Sequence, residues 1–181
     1  MKKIAVSIIL LMLGALPARV LAQGAAASAA SAPAPMTGFT NPKPEFVVIH
    51  MERTVDRPAA LVWSRVGGYC QIADWFGAKC VYTTGNGDIG TNRRLNGTTD
   101  ELMVAKTPLS YAYTQPTSPI LYHGNLAVEA IDSSHSRIVY DLLYDAAPLA
   151  TPEARAADIA RRKTRFEAGI DKMKQIAEAA P

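Results

Sequence analysis

From residue 45 onward the spacing of apolar and polar positions separates strands from helices. Glu45–Val55 (EFVVIHMERTV) alternates like a half-buried strand. Val47, Ile49, Met51 and Val55 share one face, and His50, Glu52 and Thr54 the other. Asp56-Arg57-Pro58 predicts a helix start, with Asp56 as the cap and Pro58 in the first turn. Ala59–Val66 continues it until Gly67-Gly68, and Tyr69–Phe76 predicts a second short helix. Strands are then expected over Lys79–Thr84, Gly90–Leu95, Thr98–Lys106, Ser110–Gln115, Asn125–Ile131 and Ser136–Tyr144. The turns between them carry Asn86-Gly87-Asp88, Asn96-Gly97, Thr107-Pro108-Leu109 and Asp132-Ser133-Ser134-His135.

The last element reads as one long helix from the cap Thr151 to about Ala179. Ile159, Phe166, Ile170 and Met173 form its apolar stripe, opposed by Asp158, Arg161, Arg165 and Lys172. A strand, two short helices, six strands and a long helix make an α+β chain. An antiparallel sheet of this kind needs one face covered, and only the last helix is large enough to cover it. The expected architecture is therefore a helix-grip.

Several local motifs, in this order, resemble the START-like, Bet v 1-like superfamily (SRPBCC), in particular its polyketide cyclase/dehydrase branch. They are Val55-Asp56-Arg57-Pro58-Ala59-Ala60-Leu61-Val62-Trp63, then Ala73-Asp74-Trp75, then Gly87-Asp88-Ile89-Gly90-Thr91-Asn92-Arg93. Tyr111-Ala112-Tyr113 and Ser136-Arg137-Ile138-Val139-Tyr140 follow. The branch often has a proline soon after the tryptophan, where Phe76-Gly77 stands here. The resemblance implies a hydrophobic cavity between sheet and last helix. Members bind lipids, sterols, hormones or aromatic polyketides, and some catalyse cyclisation or dehydration.

Strand alternation names side chains for that cavity. Ile138, Tyr140, Leu142 and Tyr144 share one face of the last strand, Leu126, Val128 and Ala130 one face of the strand before it, and Tyr111 and Tyr113 one face of theirs. If Asn96-Gly97 is a two-residue turn, Leu95 pairs with Thr98 and Arg93 with Asp100, and Arg93 and Leu102 share the covered face. If Ala105 pairs with Ser110, Val104 meets Tyr111 and Leu102 meets Tyr113. The expected ligand-binding set is Trp75, Phe76, Arg93, Leu102, Tyr111, Tyr113, Tyr140, Tyr144, Phe166, Ile170 and Met173. Four tyrosine hydroxyls need partners, which a wet or liganded cavity supplies; rim positions with hydroxyls in solvent are the alternative. Arg93 either holds an anionic head group bidentately or forms a solvated cross-strand pair. Trp63 is expected in the core.

The hydrophobic fraction is 49% and the charged fraction 19%, ordinary for a globular chain. Three of the 19 Lys and Arg residues, Lys2, Lys3 and Arg19, lie in the first 22 residues, which hold no acid. The rest balance the 16 Asp and Glu, so charge offers nothing for a nucleic-acid partner. Those 22 residues read as a secretory signal. Lys2 and Lys3 precede the apolar run Ile4–Leu16, and Val20-Leu21-Ala22 places cleavage before Gln23. The run is too short for a spanning helix, which needs about 20 apolar residues. No stable membrane anchor is expected after cleavage, and a bacterial periplasmic or secreted location is. Residues 23–44, rich in Ala and Pro, read as a disordered tether, with the domain at 45–181. Export permits a disulfide between Cys70 and Cys80; two separate buried thiols are the alternative.

Other chemistry is set aside. Gly85-Asn86-Gly87-Asp88-Ile89-Gly90 matches G-x-G-x-x-G, but a strand follows rather than the helix a dinucleotide requires. His50, His123 and His135 lack a metal spacing; a His123–Tyr122 acid–base role stands against plain packing. No cofactor or metal is expected. The leading function is a periplasmic binding or carrier protein for a small hydrophobic or aromatic ligand. The alternatives are a cyclase/dehydratase-like enzyme, or an accessory interaction protein with a periplasmic partner, since some exported superfamily members resemble accessory factors of methanol oxidation.

Overall fold

A computed structural model describes residues 43–180; the expected signal and nearly all of the expected tether lie outside the described residues. The elements are β1 (Phe46–Val55), α1 (Ala59–Val66), α2 (Ile72–Phe76), β2 (Cys80–Thr84), β3 (Asn92–Leu95), β4 (Thr99–Thr107), β5 (Ser110–Thr114), β6 (His123–Ala130), β7 (Ser136–Asp145) and α3 (Pro152–Glu178). The seven strands form one antiparallel sheet in the order β1-β7-β6-β5-β4-β3-β2. Its curved inner face is covered by α3 and the two short helices, so the chain is α+β with helix-grip architecture.

The sequence dictates α3 at both ends. Thr151 is extended and its hydroxyl accepts from the Ala154 amide at 3.1 Å, with Pro152 opening the first turn. At the other end Arg65 Nη1 donates to the carbonyls of Ala177 and Ala179, and Arg57 Nη2 to that of Glu178. These arginines satisfy carbonyls that a helix end leaves open and place positive charge there. Phe166, Gly169, Ile170, Met173 and Ala177 are buried, at helical spacing. They pack chiefly on β1, α1 and α2, so the far half of the sheet is covered less closely.

Two local expectations are corrected. Asp56 does not cap α1: Pro58 takes the cap position without a side-chain bond, and the Asp56 amide donates to Glu178 Oε1 at 2.9 Å. The β3–β4 hairpin is not a two-residue turn. Leu95 pairs with Thr99, leaving Asn96, Gly97 and Thr98 in the loop, with Asn96 at φ 51° and Gly97 at φ 77°. One extra loop residue shifts the register by one and turns every β4 side chain over. Glu101 and Met103 therefore face inward, and Leu102, expected in the cavity, is half-buried on the other side. The register slips once more at Val104, where Met103 pairs with Tyr113 and Ala105 with Ala112. Lys106, not Val104, then faces Tyr111.

Candidate functional site

The corrected register brings a charge pair into the interior. Arg93 on β3 faces Glu101 on β4. Arg93 is fully buried and Glu101 nearly so. Arg93 Nε donates to Glu101 Oε2 at 2.8 Å, and Nη2 stands 2.6 Å from the same oxygen, off the hydrogen-bonding line. Nη1 donates to the Tyr69 carbonyl, and the guanidinium carbon lies 4.0, 5.0 and 5.7 Å from the ring centres of Tyr69, Tyr113 and Tyr111. Burial works against the charge on Arg93, yet the Glu101 carboxylate beside it favours that charge, and on balance the pKa of Arg93 is raised. The expected partner, Asp100, instead binds Arg94 through both carboxylate oxygens at 2.8 Å, in a half-exposed pair. A solvated pair describes Arg94, not Arg93.

Glu101 forms part of the lining of a hollow of ≈280 Å³ beneath the middle of α3. Ile72, Phe76 and Ala78 form one wall; Leu95, Asn96 and Thr99 of the hairpin form a second. Tyr113, Gln115, Ile120 and Tyr122 form a third, and Arg162, Arg165 and Phe166 close it from α3. Gln115 Nε2 donates to Glu101 Oε1 at 3.0 Å. The ring centres of Phe76 and Phe166 are 4.8 Å apart, and those of Tyr140 and Phe166 5.0 Å. Arg165 lies 4.6 Å over Phe76. Arg162 donates to Asp158 Oδ2 at 2.7 Å and lies 4.4 Å over Tyr144.

Tyr113 is held in place by a glycine. A Cβ on Gly124 would fall 2.4 Å from the Tyr113 ring and hydroxyl, so only glycine lets β6 pass beneath it. The Tyr113 and Tyr140 hydroxyls bond each other at 2.8 Å. Tyr69 Oη donates to the Glu101 carbonyl at 2.9 Å. Burial pushes the pKa of Tyr69, Tyr111, Tyr113, Tyr122 and Tyr140 up, and that of Tyr144 up to about 12. All six therefore stay protonated near neutrality, and the Tyr111 and Tyr144 hydroxyls are buried with no hydrogen-bond partner among the described residues.

Of the expected ligand set, the hollow brings together Phe76, Tyr113 and Phe166. Trp75, Arg93, Tyr111, Tyr140, Tyr144, Ile170 and Met173 are buried but outside its lining, packed as core around it. The expected ligand set does not include the charged and amide lining, Glu101, Gln115, Arg162 and Arg165. Glu101 follows from hairpin length, and the arginines from which part of α3 overhangs the pocket. A second hollow of ≈300 Å³ is lined by Trp63, Tyr69, Met103, Lys106 and Tyr111, among others. Glu101 lines the first hollow and Tyr69 the second, so Arg93, touching both, stands between them. Trp63 is partly buried against the core, its ring 5.9 Å from that of Tyr111.

Cys70 and Cys80 are joined by a disulfide that spans α2, the wall carrying Ile72 and Phe76. Where the family pattern often has proline, Gly77 ends α2 at φ 67°. His123 opens β6 exposed and on the side away from Tyr122, so the two do not form an acid–base pair. In the G-x-G-x-x-G loop the amides of Asn86, Gly87 and Asp88 all donate to the buried Thr91 hydroxyl, at 2.9–3.2 Å. They serve the turn rather than a phosphate. Among the described residues no group of three or more His, Cys, Asp or Glu is placed to hold a metal, and no helix is long and apolar enough to cross a membrane.

The family model described as "Polyketide cyclase / dehydrase and lipid transport" matches residues 47–178, most of the chain. The protein belongs to this family. Solved structures share its fold at low identity. The Zhui aromatase/cyclase from Streptomyces sp. R1128 is 21% identical, with a TM-score of 0.60 over 74% of this chain and 94% of that one. A protein from Nitrosospira multiformis is 19% identical, with a TM-score of 0.58 over 71% and 94%. Ara h 8.0201 is 17% identical, with a TM-score of 0.53 over 74% and 98%. At such identities the likeness shows the fold alone. No curated protein matches the sequence.

Proposed function

We propose that the protein is an exported, periplasmic binding or carrier protein for a small hydrophobic or aromatic molecule held between the sheet and α3. The observation that carries this reading is the ring-lined hollow, with Phe76, Tyr113, Tyr122 and Phe166 around ≈280 Å³. That volume falls just below the usual range of ligand pockets, about 300–1,000 Å³, which favours a compact guest. The family description, naming cyclases, dehydrases and lipid transport, supports a small-molecule partner. Binding is favoured over turnover by the state of the lining. Tyr113 and Tyr122 are held protonated by burial, and both Glu101 oxygens already accept hydrogen bonds from Arg93 and Gln115. General acid–base chemistry needs a group that exchanges a proton near the working pH. Native mass spectrometry of protein purified from its own periplasm is expected to show a mass increment that disappears on denaturation. A bare chain that also fails to take up any apolar dye would sink the proposal.

A further inference from the structure

The charges in this same pocket have a polarity that narrows its guest. Glu101 is a carboxylate, an acceptor only, and each oxygen has one protein donor, leaving lone-pair capacity toward the hollow. Whatever reaches that wall must donate a hydrogen bond. Arg93 already neutralises Glu101, so the donor need carry no charge. The α3 side is the opposite. Asp158 offsets Arg162, with Arg161 also bound to it. Arg165 has no ion-pair partner among the described residues; its guanidinium rests on Phe76 with donors free for an acceptor. A cationic guest would meet two arginines there, and an anionic one would be paired. Between the two ends the walls are the rings of Phe76, Tyr113, Tyr122 and Phe166.

We infer that the pocket takes a compact hydroxyaryl carboxylate, its hydroxyl donating to Glu101 and its carboxylate accepting from Arg165. This rests on the binding reading above and assigns anion recognition to Arg165 instead of Arg93, which the buried pair already occupies. The test is isothermal titration of the purified protein with 4-hydroxycinnamate, cinnamate, 4-vinylphenol and 1-naphthol. Hydrogen bonds to charged groups predict that 4-hydroxycinnamate binds about tenfold or more tightly than cinnamate or 4-vinylphenol. Arg165→Ala, at an exposed position of α3, should erase the advantage of 4-hydroxycinnamate over 4-vinylphenol while its advantage over cinnamate, which reads the Glu101 contact, persists. Loss of either advantage in the native protein, or an unchanged ranking in Arg165→Ala, overturns the assignment. If 1-naphthol still binds in that case, the pocket reading survives; if none of the four binds, both fall.

Discussion

Arg93 and Glu101 are withdrawn from water together, and each has the other as its counter-charge. Removing one partner of such a pair leaves an uncompensated buried charge. Replacing both with apolar side chains of similar size does not. Arg93→Met alone is expected to cost about 3–5 kcal/mol in urea unfolding. Arg93→Met combined with Glu101→Leu is expected to recover most of that loss. A double variant as unstable as the single one would mean that the contacts of Arg93 with the Tyr69, Tyr111 and Tyr113 rings, rather than the charge pair, hold this region. That Arg93 carries chemistry is legible in the chain, because a charge at an inward position of a strand is conspicuous. Its partner is not, because Asp100 and Glu101 are adjacent acids and only the hairpin register decides between them. Gly124 is equally silent in the sequence; its meaning appears only once Tyr113 lies across it.

Helices and strands were readable at their centres and less so at their joints. All ten elements lie where the apolar spacing puts them, with ends displaced by up to about three residues, a normal margin. The errors sit in connections. One additional residue in the β3–β4 loop exchanged Leu102 for Glu101 and Met103, turning an expected oily wall into a charged one. The shortest helix shows a different dependence. α2 has five residues, too few to be stable alone, and forms part of the pocket wall. The Cys70–Cys80 bridge closes a short loop across it. In the chain-entropy view this loop is worth about 2.5–3 kcal/mol. Cys70→Ser with Cys80→Ser should lower thermal stability by that amount under oxidising conditions and weaken uptake of an aromatic probe. Equal stability of variant and native protein, with and without reductant, would show that packing alone holds α2.

At the scale of the whole molecule, a single sheet and one long helix enclose an interior that is mostly solid. Trp75, Tyr140, Ile170 and Met173 fill the middle, and open space remains beside them, in the hollow lined by Glu101 and in the one lined by Tyr69. The helix packs chiefly on β1 and the short helices, so space survives toward β3–β5, where cover is thinner. Export is the other claim at this scale. Residues 1–22, which we propose are an export signal, carry three cations and no acid, and N-terminal sequencing of protein recovered from a periplasmic fraction is expected to begin at Gln23. A chain recovered only from the cytoplasm with Met1 intact would remove the compartment from the proposal.

The amino-acid order by itself determined the element list, the α+β class and the covering role of the last helix, because hydrophobic periodicity is local and each element must bury its own apolar face. It also marked most of the aromatic residues that fill the interior. Only the tertiary structure decided which of them border open space, which acid neutralises Arg93, and that arginines from α3 overhang the pocket. Those outcomes depend on strand register and on the line along which the helix crosses the sheet. Both are set by loop length and long-range packing, which no short window of sequence contains.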